Sequence, residues 1–371
     1  MRSFEEALCE LNQNKEALLM YKDDVVAEVN LALRSIKVIS YEKLPFSMKD
    51  SYELYQNFIQ FCSNRVLMYN RIHSKEILLK CGLDDQSDIN ICLTCNGLSF
   101  RDNYWFKQRN SKLTWADINL YDNELNLDIS IIALLGGCVS DQLSNTSQIM
   151  TGELTAKGTR AKGYFREGNE IILRKHQTER EINSEILSYI IAQIVNISST
   201  KYKAVKYQDK ICSECSILTS KVNELLPCRD IMTHYSEHTT GINMQTYKYF
   251  MQCDIYNFIR MQVFDFLTLN IDRNRDNYGL LVNDNKVISL FPLFDHDSCF
   301  KGKSIKALYF VTGLTFEGTL SYLKSLPEYK TVMADIKLNT QVIYSEKFKN
   351  TFIRLLDEVT YKEFISRFEM L

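Results

Sequence analysis

The pattern of apolar and polar positions predicts short strands early in the chain and longer helices later. Residues 17–34, ALLMYKDDVVAEVNLALR, predict two short strands around a Lys-Asp-Asp turn. Helical periodicity follows from about residue 51 to residue 80. These elements predict a small N-terminal α+β module, in which we interpret Trp105 and Trp115 as packing anchors.

A polar, Ser/Thr-rich stretch after Gly136-Gly137 predicts a boundary near residue 145. The pattern from residue 146 is strand, glycine-containing loop and strand, in MTGELTAKGTRAKGYF and GNEIILRKH. A helix is predicted next, in INSEILSYIIAQIVNI, because its apolar residues share one helical face. The hairpin KYKAVKYQDKICSECSIL completes a predicted α+β unit with a helix packed on a curved sheet.

The rest of the chain is predicted to be mostly helical. The run YKYFMQCDIYNFIRMQVFDFLTLNI is long and apolar enough for a buried central helix. The polar loop DRNRDN, residues 272–277, ends this helix and leads into the hairpin YGLLVNDNKVISLF. The segment LFDHDSCF and further helices follow.

Composition excludes several classes of protein. The chain has 371 residues, of which 45% are hydrophobic and 24% are charged, so it is expected to fold. Its net charge of −2 gives no bulk electrostatic reason to bind nucleic acid or a membrane surface. Only 13 glycines and 4 prolines argue against collagen-like and Pro-rich chains. The apolar stretches are too short for a membrane-spanning helix.

The cysteines and the N-terminal residues favour a reduced, cytoplasmic protein. The 11 cysteines are an odd number, and the N-terminal segment carries acidic residues where a secretory signal would be positive and then apolar. Delivery to another cell by another route stays open. The pairs Cys92/Cys95 and Cys212/Cys215 have the spacing of zinc ligands, but we favour small buried thiols over a shared zinc site.

The candidate chemistry lies in the polar loop and in the apolar segment after the hairpin. Asp272 and Asn277 are five residues apart in one loop, and Asp295 ends an apolar run. Phosphoryl transfer from ATP needs one carboxylate at the acceptor hydroxyl, and an amide oxygen and a second carboxylate on Mg²⁺. We therefore predict Asp272 as the catalytic base and Asn277 and Asp295 as metal ligands. Alternatively, Asp272 merely caps a turn.

A lysine and a glutamate upstream fit the same chemistry. Lys175 lies near the end of a predicted strand, and Glu185 opens the next helix, so the two can pair and orient the phosphates of ATP. Strand alternation allows only one of Arg174 and Lys175 to face the nucleotide. We favour Lys175, whose compact ammonium suits a phosphate contact.

The segment Thr151-Gly152 to Gly158 is predicted to lie over the phosphates and to donate backbone N–H groups. It contains few glycines, and a plain surface loop is an equal alternative. Thr151, Thr155 and Thr159 are candidates for autophosphorylation. His296 and Asp297 are either supporting or simply polar residues.

The sequence resembles the HipA-type serine/threonine kinases, in particular short HipA-like and CtkA-like bacterial proteins. The resemblance is carried by NIDRNRDNYG (270–279) and LFDHD (293–297), with support from LRKH, SEIL and ICSECSILTSKVNELLP. It covers about residues 146–371, and upstream segments resemble the N-terminal part of the short relatives. The family implies that Asp272 is catalytic, that Asn277 and Asp295 bind magnesium and that Lys175, paired with Glu185, contacts ATP.

The sequence departs from the family in two places. Asn274 stands where the family commonly has a histidine, and the phosphate loop is marked by fewer glycines. A similar Asp-Arg-x-x-x-Asn pattern occurs in lipid kinases, so a non-protein acceptor is a minority alternative. Both departures leave the predicted metal ligands in place.

We therefore expect an α+β, bilobal protein-kinase-like fold with an additional N-terminal α+β module. The expected parts are an accessory module (1–145), a kinase N-lobe (146–225) and a helical C-lobe (226–371).

The expected activity is ATP- and Mg²⁺-dependent phosphorylation of a serine or threonine in a protein substrate. The resemblance implies a toxin-like or regulatory role and an antitoxin-like protein partner. From the net charge and the short apolar stretches, we expect no direct nucleic-acid or membrane binding. The alternatives are a pseudokinase or ATP-sensing module, and an α+β scaffold that matches by accident.

Overall fold

The computed structural model describes residues 16–50, 52–84, 86–139, 143 and 149–371. The chain divides into two compact units. The first contains residues up to His176 together with Thr219–Glu224, and the second contains Gln177–Leu218 and Leu225–Leu371. The predicted boundary near residue 145 and the acidic N-terminal segment, up to residue 15, lie outside the described residues.

The first unit combines one sheet, several short helices and a separate hairpin. Its elements are β1 (Glu16–Tyr21), β2 (Asp24–Asn30), β3 (Ser35–Val38), α1 (Leu54–Ser63), α2 (Ser74–Lys80), α3 (Asp88–Thr94), β4 (Tyr104–Lys107), α4 (Trp115–Ile118), α5 (Leu127–Leu135), β5 (Lys162–Glu167) and β6 (Glu170–His176). Strands β1 to β4 form an antiparallel sheet in the order β3-β2-β1-β4. Apolar side chains of this sheet and of α1 to α3 share one core.

The hairpin predicted at the start of the chain is confirmed, since Tyr21 pairs with Asp24 across a two-residue turn. The helical periodicity from residue 51 to residue 80 corresponds to two helices, α1 and α2, rather than one. His73, directly before α2, has a φ of 65°, which no residue inside a right-handed helix can adopt.

Helix α5 lies directly against the hairpin of β5 and β6. A Cβ atom at Gly163 on β5 would come within 2.4 Å of the carbonyl oxygen of Ser130 on α5. Only glycine permits such a close approach of two backbones. The turn Glu153–Thr155, which precedes β5 along the chain, contacts both α5 and β5.

The second unit is mostly helical. Its elements are α6 (Glu179–Ile194), β7 (Lys203–Tyr207), β8 (Lys210–Ser216), α7 (Cys228–His234), α8 (Gln245–Thr268), β10 (Gly279–Asn283), β11 (Lys286–Leu290), β12 (Leu308–Tyr309), β13 (Leu314–Thr315), α9 (Phe316–Lys324), α10 (Pro327–Leu338), α11 (Thr340–Ile343), α12 (Glu346–Leu355) and α13 (Glu358–Glu369). Strand β9 (Asn223–Pro227) begins in the first unit and ends in the second. The predicted hairpins β7–β8 and β10–β11 are both confirmed.

Helix α8 is the predicted central helix, and its second half is almost completely buried. It is bent at Asp254, whose φ of −159° and ψ of 74° are not helical. The Asp254 carboxylate accepts hydrogen bonds from the backbone N–H of Asn257 at 3.3 Å and of Leu290, on β11, at 2.9 Å. The bend therefore joins the helix to the hairpin that follows the polar loop.

The mixture of sheets and helices confirms the predicted α+β class. The thiols of Cys212 and Cys215 are buried, as predicted, and so are those of Cys92 and Cys95. Within the described residues, no helix is long and apolar enough to cross a membrane.

Candidate active site

The predicted catalytic loop connects α8 to β10 in the second unit. Helix α8 ends at Thr268, and Leu269 turns the chain with a left-handed φ of 43°. The side-chain amide of Asn277 donates hydrogen bonds to the backbone oxygen of Asp272 at 2.8 Å and to its carboxylate at 3.3 Å. Because the amide nitrogen faces Asp272, the amide oxygen of Asn277 is the atom that a metal would meet.

Arg273 anchors this loop from inside the unit. Its guanidinium is fully buried and pairs at 2.9 Å with the fully buried carboxylate of Asp265 on α8. It also donates to the backbone oxygen of Asn277 at 2.9 Å and to that of Phe294 at 3.2 Å. Burial lowers the pKa of Arg273, but the neighbouring Asp265 raises it by more, so the guanidinium stays charged.

Asp295 follows Phe294 at a strained position of the backbone. Its φ is 60°, in the left-handed region, which aspartate tolerates better than most residues. The backbone N–H of Asp295 donates to the hydroxyl of Tyr202 at 3.1 Å. Leu293, just before, exchanges backbone hydrogen bonds of 2.8 Å with Ser198 and Thr200. Strained residues of this kind cluster at functional sites, which is consistent with a role for Asp295.

Arg273 links the loop to the segment of Asp295, because it donates to the backbone oxygens of both Asn277 and Phe294. Burial raises the pKa of Asp272, a hydrogen bond from Asn274 lowers it, and the negative charges of Asp295 and Asp297 raise it again; the net shift is upward. The side-chain amide of Asn274 donates to Asp272 at 2.8 Å. Asp272, Asn277 and Asp295 thus form one group of oxygen-bearing side chains.

Oxygen donors of this kind fit Mg²⁺, which is usually bound by one or two carboxylates together with phosphates and water. Within the described residues, no group of three or more His, Cys, Asp or Glu side chains could hold a metal ion by itself. A magnesium ion at Asn277 and Asp295 would therefore take its remaining ligands from the nucleotide and from water.

The residues around Asp297 and His296 were not predicted in detail. Asp297 accepts a hydrogen bond from the side chain of Gln177 at 3.1 Å, and Ser213 on β8 donates to the same glutamine at 2.5 Å. His296 is fully buried and lies 2.9 Å from the hydroxyl of Ser199. Gln177, Ser199 and Ser213 carried no local sequence signal, because their partners are about 100 residues away or on another element.

The predicted phosphate loop lies in the first unit and is packed rather than open. Thr151 and Thr155 are buried, and a short 3-10 turn, Glu153–Thr155, lies within the loop. Glu153 is fully buried and accepts hydrogen bonds from the Thr151 hydroxyl and, at 2.7 Å, from the backbone N–H of Tyr164. A Cβ atom at Gly152 would come within 2.4 Å of the ring of Phe100, whereas Gly158 has a left-handed φ of 93°.

Arg174 and Lys175 face opposite sides of β6. Arg174 pairs with Glu167 and lies over the ring of Phe165 at 4.9 Å, whereas the side chain of Lys175 is buried. Glu185 on α6 is fully buried in the second unit. A buried carboxylate and a buried ammonium each require a compensating partner. The pairing of Lys175 with Glu185 stays a prediction.

The structure thus brings Asp272, Asn277 and Asp295 together within the second unit. It places Lys175 and the predicted phosphate loop in the first unit. Their assignment to ATP and magnesium stays a prediction. Sequence reasoning missed Asp265 and Tyr202, although both bond directly to the loop or to Asp295.

Comparison with known proteins supports the fold. No protein-family model matches the sequence, and a search among curated proteins found no match. HipA of Shewanella oneidensis, from a structure of the HipA–HipB toxin–antitoxin system with operator DNA, matches with a TM-score of 0.59 at 10% identity; 95% of this chain and 97% of that chain are covered. The Helicobacter pylori proinflammatory kinase CtkA matches with a TM-score of 0.37 at 16% identity; 55% of this chain and 94% of that chain are covered.

The match to HipA shows that this α+β chain has a kinase-like fold. More specifically, the chain has the HipA-like kinase fold, and the predicted resemblance is confirmed at that level.

Proposed function

We propose that this protein is an ATP- and Mg²⁺-dependent serine/threonine protein kinase of the HipA-like type. The observation that carries the proposal is the group formed by Asp272, Asn277 and Asp295. Asn277 bonds to Asp272, and Arg273 donates to the backbone oxygens of both Asn277 and Phe294, the residue before Asp295. This group lies on a chain with the HipA-like fold, in the order and types that phosphoryl transfer requires.

The proposal assigns a role to five residues, which are Asp272, Asn277, Asp295, Lys175 and Glu185. Asp272 accepts the proton of the substrate hydroxyl and orients that hydroxyl. The oxygens of Asn277 and Asp295 hold Mg²⁺, which when bound offsets negative charge on the phosphates. Lys175 contacts the phosphates of ATP, and Glu185 orients the lysine. The buried position of Lys175 and the ion pair of Arg174 with Glu167 support this choice between the two.

The segment with Thr151, Gly152 and Gly158 is proposed to cover the phosphates. In its packed arrangement the hydroxyls of Thr151 and Thr155 are buried, whereas Thr159 is exposed. Among the three threonines, Thr159 is therefore the one we propose as the first site of autophosphorylation. Modification of the other two requires the segment to open.

We also propose a toxin-like or regulatory role with a protein substrate and an antitoxin-like partner. The HipA structure of similar fold contains HipB, and it contains operator DNA as well. The net charge of −2 argues against strong direct nucleic-acid binding by this chain. A growth assay tests the toxin-like role: expression of the wild type should slow growth, whereas expression of Asp272→Asn should not.

The kinase proposal is tested with purified protein, radiolabelled ATP and Mg²⁺. Asp272→Asn and Asp295→Asn should each reduce label transfer about 100-fold or more, because the base or a metal ligand is lost. Asp284→Asn is the matched control. Asp284 lies in the turn between β10 and β11 of the same unit, is exposed and has a left-handed φ of 44°, similar to that of Asp295.

The outcomes separate the candidate functions. Label transfer by the wild type and by Asp284→Asn, but by neither active-site variant, supports the kinase. A rise in melting temperature with ATP and Mg²⁺ but without any transfer would instead identify a pseudokinase or ATP sensor. The absence of both label transfer and a rise in melting temperature would refute nucleotide binding altogether.

A further inference from the structure

The carboxylate of Asp265 is the centre of a buried polar network in the second unit. One oxygen accepts from the guanidinium of Arg273 at 2.9 Å and from the amide of Asn270 at 3.2 Å. The other oxygen accepts from Arg273 at 3.0 Å and from the hydroxyl of Tyr309 at 2.6 Å. Asp265, Arg273 and Tyr309 are each at most 1% exposed. The network thus joins α8, the catalytic loop and β12.

The other side of Arg273 contacts the backbone at both proposed metal ligands. The nitrogen Nη1 donates to the carbonyl oxygen of Asn277 itself and to that of Phe294, which directly precedes Asp295. The guanidinium is planar and rigid, so its donors keep a fixed geometry. One side chain thus holds the backbone of Asn277 and the backbone next to Asp295 at a set separation.

Tyr309 connects the segment that follows Asp295 to the same network. Residues 296–308 lead from the metal site to β12, and Tyr309 on β12 bonds directly to Asp265. Burial, first of all, and the nearby Asp265 raise the pKa of Tyr309, so its hydroxyl stays protonated and continues to donate. If β12 shifts, the Tyr309 hydroxyl moves with it, and Asp265 loses one of its hydrogen-bond donors.

We propose that Asp265, Arg273 and Tyr309 form a positioning network that sets the separation of Asn277 and Asp295. Tyr309 makes this separation depend on the position of β12. The inference rests on the proposed kinase function and adds three positioning residues to it. None of the three touches the reacting atoms.

Stability alone is a weak explanation for such a network. Fully buried ion pairs can often be replaced by apolar residues without loss of stability, because removing both charges from water is costly. The ring of Tyr309 also packs on Phe316, with a distance of 4.9 Å between ring centroids. The hydroxyl can therefore be removed while the packing is kept, which makes its role accessible to experiment.

The test compares Tyr309→Phe with Tyr247→Phe. Tyr247, on α8, is also buried, and its hydroxyl donates at 3.1 Å to the side chain of Gln262 on the same helix. Both variants lose one buried hydroxyl in the same unit. Label transfer is measured as a function of Mg²⁺ concentration at saturating ATP, together with the melting temperature of each variant.

Tyr309→Phe should raise the Mg²⁺ concentration for half-maximal rate about tenfold, as expected when a group supporting metal ligands is lost. Tyr247→Phe should leave this Mg²⁺ concentration unchanged. Its melting temperature should decrease about as much as that of Tyr309→Phe. Arg273→Lys keeps the charge near Asp265 but not the planar geometry, so its effect should be larger. If Arg273→Lys fails to fold, the comparison of Tyr309→Phe with Tyr247→Phe still tests the proposal.

A second measurement needs neither metal nor activity. Amide hydrogen exchange of residues 270–278 and 293–297 should be faster in Tyr309→Phe than in Tyr247→Phe. Equal exchange and an equal Mg²⁺ requirement in the two variants would overturn the network while leaving the kinase proposal intact. A wild type without transfer would overturn the kinase proposal, and the exchange measurement would then decide on the network alone.

Discussion

Asp272 lies in surroundings that oppose its ionisation. Burial raises its pKa, and the charges of Asp295 and Asp297 add to this rise, whereas the hydrogen bond from Asn274 reduces it. A general base works only when it is deprotonated, so its pKa sets the acidic limit of the reaction. The hydrogen bond from Asn274, at the position where the resembled kinases commonly have a histidine, favours the ionised form of Asp272.

Asn274→Ala should move the acidic limb of the pH–rate profile to higher pH. The variant removes the hydrogen bond that lowers the pKa of Asp272, so protonation stops the reaction earlier as the pH falls. The measurement is the rate of label transfer across the acidic range at saturating Mg²⁺. Asn283→Ala, in the hairpin after the loop, is the control. If the acidic limbs of the pH–rate profiles coincide in the wild type, Asn274→Ala and Asn283→Ala, the role of Asp272 as the base is contradicted.

Glu224 makes the stability of the first unit depend on pH. It accepts hydrogen bonds from the hydroxyl of Tyr21 at 2.5 Å and from the backbone N–H of Asn103 at 2.9 Å. Burial and then the charge of Asp102 raise its pKa from 4.5 to about 7. The folded state thus binds more protons than the unfolded state between these values, and stability falls as the pH rises through them.

Glu224→Gln should remove most of this pH dependence. For one proton, the free energy of unfolding of the wild type changes by at most about 1.4 kcal/mol per pH unit. An amide resembles the protonated acid, so the variant should gain stability relative to the wild type between pH 5 and pH 8. Urea unfolding at both pH values measures this, with Glu124→Gln, at an exposed glutamate, as control. A constant difference between wild type and variant would refute the prediction.

Elements set by local signals were predicted well from the sequence. The hairpins β1–β2, β7–β8 and β10–β11 all lie where turn residues interrupt apolar runs. Boundaries were less accurate. Helix α6 begins at Glu179, three residues before the predicted segment INSEILSYIIAQIVNI, because Thr178 and Glu181 form a capping box outside the apolar pattern.

The bend in α8 could not be predicted, because its cause lies in a distant element. The apolar run across residues 247–271 indicates one helix, and nothing in it marks Asp254 as a break. The carboxylate of Asp254 starts the second half of the helix and also accepts the N–H of Leu290 on β11. Only the fold reveals this second bond.

Asp254→Ala should destabilise the second unit by about 1 to 2 kcal/mol. The variant loses a helix cap and a hydrogen bond to a backbone N–H of β11. Asp254→Asn keeps an acceptor oxygen and should lose less. Chemical unfolding of the three proteins at one pH gives the difference. Equal losses in the two variants would show that the charge, rather than the acceptor, matters.

For the molecule as a whole, the sequence predicted the class of fold. Asp272, Asn277 and Asp295 could be proposed as site residues because their spacing is local and their types are demanded by the chemistry. Asp265 and Tyr309 could not, since they meet only in the folded chain, 44 residues apart. The surroundings of a site are thus harder to predict than its reacting groups.

The compact units interleave along the chain, which composition could not indicate. Residues 219–224 belong to the first unit, although residues on both sides belong to the second. The contacts are specific: Lys221 pairs with Asp122 at 2.8 Å, and Glu224 bonds to Tyr21. The predicted parts 1–145, 146–225 and 226–371 stay a prediction that fragments can test.

A fragment of residues 226–371 should not unfold cooperatively. It lacks α6, whose Ser184 hydroxyl donates at 2.9 Å to the carbonyl oxygens of both His296 and Cys299. Removal of α6 leaves buried polar and apolar groups exposed, which the small remaining core does not offset. Thermal melting, compared with a fragment of residues 177–371, tests this. A sharp transition in the shorter fragment would support 226 as a domain start.

The interleaved order of the two units also affects how the protein is made. Helix α6 and the hairpin β7–β8 are synthesised before residues 219–224 complete the first unit and before any of residues 225–371 exist. At about 5 to 20 residues per second, the ribosome needs roughly 7 to 30 s to synthesise residues 225–371. Slower translation after residue 218 is therefore expected to lower the yield of folded protein while leaving the finished molecule unchanged.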